Sequence, residues 1–182
     1  MDKRRKKTFS KIALILFTLS IILLFLLLLL QFNGVYILLG TPPRGISNQT
    51  LLNLLILTAV ISLTYLMKDK VLKGLVIVVG AFFILLSFLF ISLIETDYTF
   101  FSSPNNQKNF VMVERGYGSL YQLSESKMYM VHLANSQTNN GYKPFSEGAY
   151  KLEWKEANRL VVHYQFDYMH NALNRKIETH YK

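Results

Sequence analysis

The sequence contains no cysteine among its 182 residues. This absence excludes a disulfide framework, a zinc site built on thiolates and a cysteine nucleophile. It removes one means of stabilising a small exported domain, but it does not identify the compartment in which the protein works.

The sequence also lacks the short motifs that carry well-known chemistries. It has no H-E-x-x-H, no G-x-S-x-G, no phosphate-binding P-loop and no G-x-G-x-x-G. The four histidines do not pair at the spacing that places two zinc ligands on one helix. We therefore predict no catalytic residue, no cofactor and no metal site. An exported hydrolase remains a third hypothesis without motif support, because the carboxylates of such a site are brought together only by the fold.

Acidic residues are scarce in the first half of the chain, where Asp69 is the only one between Lys3 and Ile94. The net charge of +9 is therefore concentrated there. Residues 1–11 hold six Lys or Arg against one Asp, whereas residues 95–182 hold ten Lys or Arg against nine Asp or Glu. Positive charge beside apolar runs indicates membrane orientation and contact with lipid headgroups. We accordingly predict membrane lipid as a partner and no nucleic acid.

Three long apolar runs dominate the first half of the sequence. A hydrocarbon core about 30 Å thick requires about 20 apolar residues in a helix. Residues 12–32, 51–67 and 74–94 approach or reach that length, and the last contains no charged residue. The sequence predicts three transmembrane helices over these ranges. The first is too long for a signal-peptide core and lacks a clear small-x-small cleavage site, so we expect it to remain uncleaved.

The basic segments predict the orientation of these helices. The head, residues 1–11, and the turn, residues 68–73, are both positively charged and should lie on the cytoplasmic side. The loop 33–50 and the tail 95–182 would then lie outside. The expected location is the cytoplasmic membrane, with a cytoplasmic N-terminus and an extracytoplasmic C-terminal domain.

The second apolar run carries a thread of polar residues, Asn53, Thr58 and Ser62. Thr58 and Ser62 are four residues apart and therefore share one helix face. Small and hydroxylated residues allow membrane helices to approach closely and to hydrogen-bond across their interface. We predict that this thread packs within the bundle; alternatively, it faces a helix of a partner protein.

The tail, residues 95–182, is predicted to be a small β-rich domain, either a sheet or a sandwich. Alternating apolar residues and turn signals indicate strands at 109–115, 119–123, 127–133, 150–154, 159–166 and 176–181. Tyr142 and Phe145 occur in a polar stretch, residues 135–148, that reads as an exposed loop. Together with Trp154 they are candidate contacts for a protein partner, since aromatic residues are enriched at interfaces. The alternative is that the aromatic residues of the tail pack in its core.

Two stretches of the tail carry a resemblance. The sequence FSSPNNQK at 101–108 is followed by FVMVE, and YKLEWKEANRLVVHY occurs later. These stretches resemble the tails of small bacterial multi-pass membrane proteins of unknown function. In those proteins a Ser-Pro-Asp/Asn-x-x-Lys turn opens an exported β domain. The resemblance covers Phe101 to Phe166; it implies a bacterial cytoplasmic membrane and says nothing about activity.

These observations lead to two main hypotheses of function. In the first, a non-enzymatic membrane protein presents a small β domain to an envelope partner, in a regulatory, immunity-type or assembly role. In the second, the chain is an accessory subunit of a transporter or membrane enzyme and works through its transmembrane helices.

Overall fold

The computed structural model describes residues 3–139, 141–155, 158–169 and 172–181. The chain folds into two units, each made from two segments. Met1–Asn33 and Ser47–Leu93 form the helical unit, and Gly34–Ile46 and Ile94–Lys182 form the β unit.

The helical unit contains α1 (Lys3–Phe32), α2 (Asn48–Leu66) and α3 (Lys70–Leu93). All three are long and apolar enough to cross a membrane, which confirms the predicted number and placement of apolar helices. Helix α1 begins at Lys3, within the basic head, and is therefore longer than the apolar run at 12–32. Lysine and arginine are good helix formers, so the helix extends beyond the apolar run.

The turn before α3 is shorter than the predicted segment 68–73. The Asp69 carboxylate accepts hydrogen bonds from the backbone N–H groups of Val71 (2.7 Å) and Leu72 (3.1 Å). An acidic residue at this position satisfies free amides and complements the positive end of the helix dipole. Helix α3 therefore begins at Lys70, inside the predicted basic turn.

Helix α2 contacts both α1 and α3. The buried residues of α1 include Ala13, Ser20 and Leu27, which recur every seven residues and so follow one face of the helix. On α2, Ala59 and Ser62 are buried. Small side chains at these positions permit the close approach that the sequence predicts.

The β unit contains two antiparallel sheets. The larger has the strand order β2-β1-β6-β5-β4-β3. Its strands are β1 (Val35–Leu39), β2 (Ile46–Ser47), β3 (Asp97–Ser102), β4 (Asn109–Arg115), β5 (Tyr117–Leu123) and β6 (Tyr129–Ser136). The smaller, in the order β7-β8-β9, consists of β7 (Tyr150–Lys155), β8 (Arg159–Tyr164) and β9 (Arg175–His180).

One core is shared by the two sheets. Phe110 and Met112 of the larger sheet are fully buried with Leu160 and Val162 of the smaller one. Phe101 on β3 stacks on Phe110 at a ring separation of 5.7 Å. The β-rich character of the tail is thus confirmed, and its first strand, β3, begins at Asp97, before the first predicted strand at 109–115.

The segment between α1 and α2 differs most from its prediction as a loop over 33–50. Val35–Leu39 forms β1 and pairs antiparallel with β6, placing Val35 opposite Val131 and Ile37 opposite Tyr129. The sequence VYILL has a high strand propensity. Its partner lies almost a hundred residues further along the chain, so the pairing is not visible in the local sequence.

We expect Gly80→Ala to weaken the packing of α2 on α3. A Cβ atom at Gly80 would lie 2.5 Å from Cγ2 of Val60, and valine has little rotamer freedom in a helix. Overpacking of this kind costs about 1–3 kcal/mol, partly offset by the better helix propensity of alanine, about 1 kcal/mol. The free energy of unfolding in detergent micelles measures the effect, and Val60→Ala in the same chain should restore stability.

Gly74→Ala is the matched control, because a Cβ there meets no atom within 4 Å. It should leave α3 unchanged or stabilise it by up to about 1 kcal/mol. Equal effects of the two alanines would contradict the proposed close contact.

Candidate functional site

The segment between β6 and β7, residues 137–149, is not the exposed loop that the sequence predicts. Tyr142 and Phe145 retain only 4% and 2% of their exposed area, so the expectation of exposure was wrong. The Phe145 ring packs against Tyr150 at 5.3 Å and Tyr164 at 5.5 Å. The Tyr142 ring lies 4.2 Å from that of Tyr168. Burial of large aromatic surface accounts for this inward fold.

Trp154, the third predicted contact residue, also belongs to the core. Its ring lies 5.6 Å from Phe110 and 5.8 Å from Tyr181, and its side chain is half-buried. Phe145 joins the same core cluster. The structure therefore brings Phe145 and Trp154 into core packing, the alternative that the sequence left open, and buries Tyr142 against Tyr168.

A buried carboxylate fastens this loop to the larger sheet. Glu114 on β4 is 2% exposed, and its two oxygens accept hydrogen bonds from the backbone N–H groups of Phe145 (3.0 Å) and Ser146 (2.7 Å). Burial raises the pKa of Glu114 above its ordinary value of 4.5, while these two hydrogen bonds act in the opposite direction. Because both oxygens are engaged, this carboxylate serves to anchor the loop.

A second anchor joins the loop to the strand that follows α3. The Lys143 ammonium lies 2.7 Å from the Asp97 carboxylate and 3.4 Å from that of Glu95. Its hydrogen bond to Asp97 raises the pKa of Lys143, so the lysine remains charged at neutral pH. Loop 137–149 is therefore held on β4 by one charged group and on β3 by another.

Sequence reasoning did not identify Glu114, although a signal was present. Residues alternate across a strand, so Glu114 shares a face with Phe110 and Met112. Those two apolar residues mark that face as the core face. The pattern that predicts the strand therefore also places the Glu114 carboxylate on the core face.

The three residues of the polar thread of α2, Asn53, Thr58 and Ser62, have different surroundings. The Asn53 amide donates to the Ser87 hydroxyl on α3 at 2.9 Å, and Gln49 donates to the same hydroxyl at 2.8 Å. Thr58 donates instead to the Leu54 carbonyl of its own helix at 2.8 Å. Ser62 is buried, as noted above. Asn53 thus links two helices of this chain, whereas the Thr58 hydroxyl makes no link between them.

The helices are also joined at a position that the sequence did not single out. The Asn48 amide donates to Gln31 of α1 at 3.0 Å. The end of α1, the start of α2 and the region of Ser87 on α3 all carry these polar contacts. Interhelical hydrogen bonds between such side chains stabilise membrane helix pairs by about 0.6 kcal/mol on average.

Within the part of the chain that the structure describes, no three His, Cys, Asp or Glu side chains lie close enough together to hold a metal ion. Comparisons with protein-family models, with curated proteins and with solved structures found no match to this chain.

Replacing Glu114 by glutamine should release loop 137–149. Glutamine supplies one oxygen in place of two, so either the buried N–H of Phe145 or the partly buried N–H of Ser146 loses its acceptor, at a cost of up to about 1–3 kcal/mol. Hydrogen exchange of these two amides in the full chain should accelerate. Glu147→Gln, an exposed change in the same loop, is the control and should leave both amides protected.

The difference in free energy of unfolding between the natural chain and Glu114→Gln should also depend on pH. A carboxyl group whose folded pKa is raised contributes stability that is present below 4.5 and lost as the pH rises through the folded pKa. The advantage of the natural chain over Glu114→Gln in free energy of unfolding should therefore be larger at about pH 4 than at about pH 7. A difference that grew with pH would contradict this account of Glu114.

Proposed function

We propose that this chain is a non-enzymatic integral membrane protein of the bacterial cytoplasmic membrane. Three helices cross the membrane, and the β unit lies on the outer face, where it interacts with an envelope partner in a regulatory, immunity-type or assembly role. The observation that carries the proposal is the pairing of β1 with β6.

This pairing limits how the helices can cross a membrane. Strand β1 lies between α1 and α2, whereas β6 lies after α3. Two paired strands occupy the same side of a membrane, so the chain between them crosses an even number of times. Helices α2 and α3 supply two crossings, and both meet the length and apolarity that a crossing requires.

The charge distribution supports the choice of side. The basic head and the turn between α2 and α3 lie on the side opposite to β1 and β6 in this arrangement. Lys and Arg in short segments are retained on the cytoplasmic side. The β unit is consequently extracytoplasmic, and it is joined to the helical unit by three chain connections, after Asn33, before Ser47 and after Leu93.

The second candidate function, an accessory subunit acting through its helices, is favoured by a different observation. An apolar cleft of about 440 Å³ lies between α2 and α3, with Leu57, Ile61 and Ile84 among its lining residues. A helix of a partner protein inserted there would contact both α2 and α3. The two candidates differ in where the partner contacts the chain.

Cysteine labelling in intact cells tests the sidedness. The chain has no natural cysteine, so Ser126→Cys, in the exposed turn between β5 and β6, provides a single thiol. A membrane-impermeant maleimide should label it before lysis. Thr41→Cys, between α1 and α2, should behave in the same way, and Ser10→Cys in α1 should react only after lysis. Labelling of Ser126→Cys only after lysis would reject an extracytoplasmic β unit.

Site-specific photocrosslinking separates the two candidate functions. One photoreactive residue replaces Tyr117, which is 63% exposed on β5, and another replaces Ile61, which is 61% exposed in the cleft. Reproducible adducts from position 117 alone would favour an interaction domain, and adducts from position 61 alone would favour an accessory subunit. The full chain is needed for both, because the tail by itself lacks β1.

A further inference from the structure

Strand β7 is an edge strand whose outward backbone groups have no hydrogen-bond partner among the described residues. Gln165 donates its N–H to the carbonyl of Ala149 at 3.1 Å, which fixes the alternation of bonded pairs between β7 and β8. By that alternation, Tyr150, Leu152 and Trp154 direct their N–H and C=O groups away from β8. These groups are therefore available to pair with a further strand.

The edge formed by β7 is also free of neighbouring elements. Within the described residues, β8 is the only strand or helix with a Cα atom within 8 Å of a Cα atom of β7. The opposite edge of the same sheet is different, because Cα atoms of β9 approach those of β6 within that distance. The two sheets thus come together on the side of β9 and leave β7 open.

The core-facing side chains of this edge are incompletely covered. Tyr150, Leu152 and Trp154 pack against the core cluster that the two sheets share, yet each is only half-buried. Apolar side chains at a sheet edge are removed further from water when another strand continues the sheet. The backbone groups and the apolar side chains of β7 therefore both favour the addition of a strand.

The opposite face of β7 carries charges of alternating sign, those of Lys151, Glu153 and Lys155. Lys151 is exposed, and no ion pair of the described residues involves it. Glu153 lies 3.1 Å from His163 and 3.3 Å from Lys155, and these hydrogen bonds hold the pKa of its carboxyl below the ordinary value. The Glu153 side chain keeps 44% of its area exposed. A carboxylate has about four acceptor sites, so a further ammonium group can approach it.

We propose that β7 pairs antiparallel with β7 of a second copy of this chain, about a two-fold axis at Leu152. Leu152 then lies opposite its counterpart, and Tyr150 lies opposite Trp154 of the other copy. The outward N–H and C=O groups of these three residues become bonded, and the two smaller sheets form one continuous sheet. The inference goes beyond the proposed function, because it concerns association of the chain with itself and not with an envelope partner.

The charges of β7 select this axis. An axis at Lys151 would place that lysine opposite itself, and an axis at Glu153 would place two carboxylates together. Like charges directly opposite each other destabilise a sheet. An axis at Leu152 instead places Lys151 opposite Glu153 of the other copy, and the symmetry repeats this ion pair. Charges on an edge strand usually prevent pairing, whereas here their alternation permits pairing in one register.

The remaining edges lack such a selection. Strand β3 forms one edge of the larger sheet, but its residues from Tyr98 to Phe101 carry no charge. Strand β2, at the other edge, has only two residues and offers few backbone groups. Charge complementarity with a second copy therefore distinguishes β7 from both.

Disulfide trapping in isolated membranes tests the pairing and its register. One copy carries Lys151→Cys and the other Glu153→Cys, each with its own affinity tag, in a chain that has no natural cysteine. The two positions would form a non-hydrogen-bonded antiparallel pair with a Cα separation of about 4.5 Å, which a disulfide can span. Mild oxidation should therefore yield a dimer that contains both tags.

The same cysteines provide the control for register. With the axis at Leu152, two copies of Lys151→Cys hold their thiols at diagonal positions about 7–8 Å apart, and so do two copies of Glu153→Cys. Each variant expressed alone should give much less dimer than the mixture, and Ser126→Cys measures random collisions. Equal yields from single and mixed expression would overturn the proposal. A mixture that yields no more dimer than Ser126→Cys would overturn it as well.

Charge reversal gives an independent test with the full chain in nonionic detergent. Lys151→Glu alone places carboxylates opposite each other at both symmetric positions, and Glu153→Lys alone places ammonium groups there. Each variant should lose self-association roughly tenfold, because attractive cross-strand pairs become repulsive. Sedimentation equilibrium measures the dissociation constant.

Mixing the two reversed chains should restore association, since every glutamate across the interface then faces a lysine. This recovery would also show that both variants fold. Lys176→Glu is the matched control, because it reverses an exposed charge of the same sheet on β9, away from the axis; it should associate like the natural chain. Undiminished association of Lys151→Glu with itself, or a mixture no stronger than either variant, would contradict pairing through β7.

Discussion

Pairing between β1 and β6 is the constraint on which the rest of the structure depends. Backbone hydrogen bonds from His132 to Gly34 (2.8 Å) and from Leu38 to Met128 (2.9 Å) continue this pairing beyond the strand register itself. They join the segment between the first two helices to a sheet formed after the third. Because two helices separate the paired strands, this pairing brings two distant segments into one β unit and limits the intervening chain to an even number of membrane crossings.

The β unit also depends on a buried carboxyl group, that of Glu114. A buried carboxylate is costly unless its oxygens are hydrogen-bonded, and Glu114 meets that condition through two amides of the loop that covers it. The loop in turn contributes Phe145 to the core. The same segment therefore supplies both the hydrogen bonds to Glu114 and the apolar contacts of Phe145. Lys143 joins this segment to β3 through its ion pair with Asp97. These contacts explain why loop 137–149, whose sequence is mostly polar, packs against the core.

Several features were predictable because they depend on neighbours in the sequence. Three apolar helices follow from the length and continuity of apolar runs, and the strands from β4 onward follow from alternation. Helix α1 extends beyond the apolar run because helix propensity persists in the basic head. Strand β1, Val35–Leu39, was not predicted, because it carries strand propensity but its partner strand is distant. Tyr142 and Phe145 were expected to be exposed because polar neighbours surround them, whereas their burial depends on contacts with Tyr168, Tyr150 and Tyr164.

The sequence by itself determined the candidate membrane helices, the concentration of positive charge in the first half and the β-rich character of the tail, since each depends on composition or on a short period. Only the tertiary structure decided which strands are neighbours. The tail is almost neutral in total, yet the register of β7, β8 and β9 places Lys151, His163 and Lys176 in one cross-strand row and Glu153, Val161 and Glu178 in the next row on the same face. Strand register is a nonlocal property, because it is set by the joint packing of two faces and by turns far apart in the chain. The net charge of a sequence segment therefore does not reveal how its charged side chains are distributed on the folded surface.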